Sequence, residues 1–201
     1  MKIKICGLSN ANEVEECTKL GAEYCGFILN FPKSHRYISF DKARALTNIT
    51  KINSKYVGVL VNPSDKDLEK FAELNLDYFQ LYGKYDNSKL KLIKKKFKKK
   101  IISVIVVKKK RDVQNYKKIK DNSDIILWDS SGYEKSLTWN YRWIKHIRTR
   151  AKKMVAGNIT INKLKYLKNC ADIVDVSGAL ETKEKKDIRK IKEFVKQIRK
   201  L

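Results

Sequence analysis

Several ingredients are scarce in this 201-residue chain. There is no uninterrupted apolar run of membrane-spanning length, and no apolar leader before the first strand-like stretch. A soluble, cytoplasmic protein with no membrane partner is therefore expected. Cysteine occurs four times, at Cys6, Cys17, Cys25 and Cys170, never as C-x-x-C, and there are only two histidines, His35 and His146. No metal site is expected, and in a cytosolic chain the thiols are expected to be reduced. Two prolines and eight glycines are spread thinly, so no linker divides the chain. One domain over residues 1–201 is expected.

Acidic residues are also few, 22 against 46 basic ones, which leaves a formal net charge of +24. Such a charge attracts anions and raises nucleic acid as a partner. Only eight of the basic residues are arginine, however, and the rest are lysine. Nucleic-acid readers lean on arginine forks and exposed aromatics. "KLKLIKKKFKKK" and "VVKKKRD" therefore read as solvated helix and loop faces, and no specific nucleic-acid partner is expected. Trp139, Tyr141 and Trp143 read as packing residues.

What the chain does have is repetition. Short Ile- and Val-rich runs fall at 2–6, 24–30, 56–61, 77–83, 101–107, 124–129, 153–157 and 172–177. Most do not alternate cleanly, as expected of strands buried on both faces. Helix-length segments separate them. Val14, Cys17 and Leu20 share one face. Ser64 and Asp67 form a capping-box variant ahead of Leu68, Phe71, Ala72 and Leu74. Ile188, Ile191, Val195 and Ile198 recur at helical spacing. Eight βα units in one chain predict an α/β fold, a closed (β/α)8 barrel. An open doubly wound sheet is the alternative, but the first turn, "CGLSNAN", lacks the glycine fingerprint of that fold.

Chemistry on a barrel sits at the carboxyl ends of the strands. Those ends read Cys6, Asn30, Asn62, Gln80, Asp129, Gly157 and Ser177. Cys6 is either a small buried hydrophobe or a reactive thiol. Asp129 is either a turn residue or an acid. A thiolate and a carboxyl group across a barrel mouth can serve as base and acid.

"KIKICGLS", "GFILNFPKSHRYIS", "VGVLVN", "LDYFQLYG", "ILWD", "VAGNIT" and "VDVSGALE" together resemble, in order, the strand motifs of the phosphoribosylanthranilate isomerases. The resemblance implies a (β/α)8 enzyme of tryptophan biosynthesis that performs an Amadori rearrangement without cofactor, acting on a small phosphosugar as monomer or homodimer. It implies Cys6 as general base, Asp129 as general acid and Arg36 as the partner of the anthranilate carboxylate. It places the substrate phosphate at the last two βα loops, on Gly157, Asn158, Ser177, Gly178 and Ala179. Neighbouring charge would lower the thiol pKa. The chain departs from the family pattern at Tyr82 (usually histidine), Tyr133 and Glu134 (usually Thr-Gly), Asn158 (usually glycine) and Ala179. Glu134 is expected to point away from the phosphate, with Lys135 nearer to it. Another phosphosugar isomerase or epimerase, or a lysine-rich nucleic-acid-binding barrel without catalysis, are the alternatives.

Overall fold

The computed structural model describes residues 1–130 and 137–201. Eight parallel strands form a closed barrel in chain order. They are β1 (Lys2–Cys6), β2 (Tyr24–Ile28), β3 (Lys55–Val61), β4 (Tyr78–Tyr82), β5 (Lys100–Val106), β6 (Ile125–Asp129), β7 (Lys152–Val155) and β8 (Ile173–Val176). β1 pairs with β8, Lys4 opposite Asp175, and this pairing closes the ring. The closed barrel is the fold expected from the sequence, and the open sheet is excluded.

Successive side chains of a strand point to opposite faces. One set, including Tyr24, Val57, Tyr78, Ile102, Leu127, Met154 and Ile173, fills the barrel interior. The other, including Ile3, Ile5, Phe27, Phe79, Ile126 and Val174, packs outward against the helices. Both faces are apolar, which is why the strands read as runs and not as alternations.

The crossovers differ around the ring. Full helices follow the first four strands: α1 (Ala11–Lys19), α2 (Phe40–Thr47), α3 (Asp65–Ala72) and α4 (Asn87–Phe97). The Ser64–Asp67 capping box is formed on α3. After β5 and β6 the chain makes 3-10 turns instead, at Lys110–Lys118 and Tyr141–Ile144. β7 is followed by only a short helix, α5 (Leu164–Leu167). Apolar residues in these first two segments recur every third position, Val113-Tyr116-Ile119 and Tyr141-Ile144-Ile147, the period of a 3-10 helix and not of an α-helix. After β8 comes a small hairpin, β9 (Glu181–Thr182) and β10 (Lys185–Lys186), and then α6 (Ile188–Arg199), which buries Ile191, Phe194, Val195 and Ile198. No helix among the described residues is long and apolar enough to cross a membrane.

The scarce acids have a regular use at the amino-terminal end of the barrel. Glu23, Asp77, Asp124 and Asp172 each stand just before an even-numbered strand. Their carboxylates accept the backbone N–H of Ile3, Tyr56, Ile101 and Lys153 on the preceding odd strand, at 2.8–2.9 Å. Their backbone carbonyls accept from Lys55, Lys100, Lys152 and Lys2 on the following odd strand. Four acidic residues thus tie eight strands together, leaving the opposite end free for chemistry.

Candidate active site

A cavity of about 280 Å³ opens at the carboxyl ends of the strands. Cys6, Arg36, Asp129, Gly157, Asn158, Ser177, Gly178 and Ala179, which are all the site residues named from sequence, line it together.

Cys6 ends β1, half-buried. Its carbonyl accepts from Ser177 Oγ at 2.8 Å, and the next two N–H groups donate to the Gly26 carbonyl. Gly7 takes φ +79°, and a Cβ there would lie 2.4 Å from Arg36 Cδ. The glycine after the thiol therefore lets Arg36 lie across the turn. Below Cys6, Lys4 is fully buried in the barrel, its ammonium 3.0 Å from both carboxylate oxygens of Asp175. Burial works against that ammonium, but Asp175 and, after it, Cys6 together outweigh it and hold Lys4 charged. Burial pushes the Cys6 thiol above its ordinary range, and the Lys4 charge opposes this without overcoming it. The lowered thiol expected from sequence is thus not found: desolvation of the thiolate outweighs the neighbouring cation.

Asp129 ends β6, buried. The Tyr82 hydroxyl, on the end of β4, donates to its Oδ2 at 2.8 Å. Burial first, and then the Asp129 carboxylate, keep that phenol protonated well above its usual range. Gln80 lies one step deeper inside the barrel, 1% exposed, and not on the rim where its place near the strand end had put it. Its amide nitrogen is 3.5 Å from the Tyr82 oxygen.

Arg36 reaches the mouth from the loop after β2, and it is already engaged. Its Nε and Nη2 donate to the two carboxylate oxygens of Glu181 at 2.6 and 2.7 Å. Glu181 also meets Lys186 and has His35 Nε2 3.3 Å away. Burial pushes the Glu181 carboxyl up, but Arg36 and Lys186 outweigh it and bring it down to about 2. This fork–fork pairing fixes the plane of the guanidinium and leaves its Nη1 edge for another acceptor. The Lys186 ammonium, buried, also donates to Ser177 Oγ at 3.1 Å.

The two turns expected to hold phosphate follow the neighbouring strands β7 and β8, and both line the cavity. Gly157 and Asn158 follow β7 at φ +109° and +48°, both left-handed. Asparagine adopts that region at small cost, so its replacement of glycine leaves the turn intact. Trp139 Nε1 donates to the Ala156 carbonyl and the Tyr141 hydroxyl to the Gly157 carbonyl, at 2.9 and 2.5 Å. These aromatics are packing residues, as expected, and they also pin the turn. After β8, Gly178–Leu180 forms a 3-10 turn whose backbone starts beside Ser177. Lys163 Nζ donates to the Asn158 carbonyl at 2.7 Å, which brings a cation to the first turn. Glu134 and Lys135 lie outside the described residues.

The family model for N-(5′-phosphoribosyl)anthranilate (PRA) isomerase matches residues 3–197. The chain belongs to this family. Curated PRA isomerases of Streptococcus mutans and Streptococcus gordonii are 29% and 30% identical to it, over 99% of both chains and over 98% and 97% respectively. The Thermotoga maritima PRA isomerase structure superposes with a TM-score of 0.86 at 28% identity, covering all of both chains. A PRA isomerase solved with reduced 1-(o-carboxyphenylamino)-1-deoxyribulose 5-phosphate matches with a TM-score of 0.83 at 27% identity, again over the whole of both chains.

Among PRA isomerase motifs, K-I-C-G and P-K-S-x-R point to Cys6 and Arg36. Lys4, Tyr82, Asp175, Glu181, Lys163 and Lys186 were not picked out as site residues. A signal existed for two of them. Lys4 precedes Cys6 by two residues and Asp175 precedes Ser177 by two, so each shares a face with a residue already singled out.

Proposed function

We propose that Cys6 and Asp129 are the base and acid with which this chain isomerises N-(5′-phosphoribosyl)anthranilate, in tryptophan biosynthesis. The observation that carries the assignment is the convergence of both residues, Arg36 and the two phosphate turns on one cavity. Asp129 gives its proton to the furanose ring oxygen, the C1′–O bond breaks as the anilino nitrogen lone pair forms the C=N bond, and the ring opens to a protonated imine. The Tyr82 hydroxyl, 2.8 Å away, stabilises the carboxylate that remains. The Cys6 thiolate takes the C2′ proton and leaves the C–H electron pair on the substrate as an enolamine. Tautomerisation then yields 1-(2-carboxyphenylamino)-1-deoxyribulose 5-phosphate. Every step is a proton transfer between side chains and substrate.

Arg36 offers its free edge to the anthranilate carboxylate. Backbone N–H groups at residues 157–159 and 177–179 receive the phosphate, and left-handed turns of this kind form anion-binding concavities. Lys163 adds positive charge at the first turn.

Turnover of purified protein on this substrate tests the assignment. Cys6→Ala and Asp129→Asn should each lower kcat by about 10²–10⁴-fold with the fold retained. Cys17→Ala, buried in α1, should leave turnover unchanged. Wild-type-like turnover by a folded Cys6→Ala protein would exclude the base.

A further inference from the structure

Beneath Cys6 lies a charge that the reaction scheme leaves unused. We propose that Lys4, clamped by Asp175, is the positioning residue that provides the counter-charge for the Cys6 thiolate. The proposal rests on Cys6 being the base.

Lys4 is 0% exposed, and a lysine is almost never fully buried unless paired. Its pairing with Asp175 does not by itself explain its presence. A buried ion pair recovers little beyond its own desolvation cost, and apolar residues of similar volume often stabilise as well. Position supplies the reason. Lys4 and Cys6 are two apart on β1, so both side chains point into the barrel. Gly26 on β2 stands opposite Cys6 in register. A Cβ at Gly26 would lie 3.0 Å from Lys4 Nζ and 3.2 Å from Cys6 Sγ. The missing methyl leaves a space that both the ammonium and the sulfur border.

The other groups whose charge acts with Cys6 come from every side. Asp175 on β8 opposes the thiolate, and Lys186 on β10 favours it. The Arg36 guanidinium, from the loop after β2, also favours it. Tyr82 on β4 stays neutral in its presence. Lys4 is the strongest of the charges acting on the sulfur. Asp175 therefore has a second function: it keeps the ammonium charged and anchored, at the cost of some repulsion. During turnover the ammonium is shared between carboxylate and thiolate. Once the sulfur has taken the C2′ proton it is a neutral thiol, and Lys4 reverts to Asp175 alone.

Alkylation of Cys6 by iodoacetamide reads the thiolate directly, without turnover. The rate is followed against pH by mass spectrometry of the Cys6 peptide. Lys4→Met alone leaves Asp175 unpaired and risks the fold, so the deciding variant is Lys4→Met/Asp175→Asn, its fold verified by circular dichroism. Its alkylation midpoint should rise by about one pH unit, which lowers the rate near pH 8 about tenfold. Gly26→Ala keeps both charges but drives them apart, and should shift the midpoint in the same direction. In both variants kcat should fall at neutral pH and recover as pH rises, with KM little changed. An unmoved alkylation midpoint in the folded double variant overturns the role of Lys4 and leaves Cys6 as base. Full turnover by a folded Cys6→Ala protein instead removes the base on which the proposal rests.

Discussion

Glu181 serves three neighbours at once, and two of them, Arg36 and Lys186, hold its charge. Its carboxyl lies at about 2 in the fold against an ordinary 4.5. A depressed acid stabilises the native state fully above its unfolded value, and that stabilisation disappears as pH falls through the folded one. The contribution of Glu181 should therefore be intact at pH 7 and decline between about 4.5 and 2. Urea unfolding of wild type and Glu181→Gln checks this: a stability gap at pH 7 should narrow towards pH 2. Cys6 behaves in the opposite sense, because its chemistry needs the deprotonated form. With burial holding the thiol above its ordinary range, kcat/KM should climb with pH on the alkaline side of neutrality. A pH–rate profile already flat at pH 7 would contradict that. Cys6, Asp129 and Arg36 were legible because each sits in a local motif. Glu181 was not, because its partner Arg36 lies 145 residues away in sequence, and Lys186 reaches the site only through Glu181 and Ser177.

At the scale of elements, the strands were legible and the crossovers only half so. A strand buried on both faces declares itself by composition over five to seven residues, as "YVGVLV" does. The segments after β5 and β6 have helix-like length, and only their spacing of three betrays the 3-10 turns that form. The acids before the even strands carry a clearer mechanical role. Asp77 accepts the Tyr56 N–H at 2.8 Å and also meets Lys51 at 2.8 Å. Asp77→Ala should lower unfolding stability by about 1–3 kcal/mol. Because Asp77 is at the far end of the barrel from Cys6, kcat at a temperature where the variant is folded should be unchanged. Loss of kcat without loss of stability would show that the two ends are coupled.

For the molecule as a whole, the net charge of +24 is spread over lysine-rich faces such as α4, where Lys91, Lys95 and Lys96 are exposed. Such a field steers an anionic phosphosugar toward the protein, and added salt screens it. Raising ionic strength from 0.05 to 0.5 M, on the order of a threefold shorter screening length, should lower kcat/KM several-fold while leaving kcat unchanged. A fall in kcat itself would point instead to damage at the site.

The ring closes between β8 and β1, and the proposed base Cys6 and its Lys4–Asp175 pair lie at that seam. Lys4 meets Asp175, and the Ser177 hydroxyl meets the Cys6 carbonyl, each across 171 positions of chain. Contacts of such separation carry the loop-closure cost late in folding. On the ribosome the first strand therefore emerges with a thiol and a lysine but no carboxylate to hold the one beside the other. The proposed counter-charge for Cys6 is thus fixed in place only when the eighth strand arrives and closes the ring.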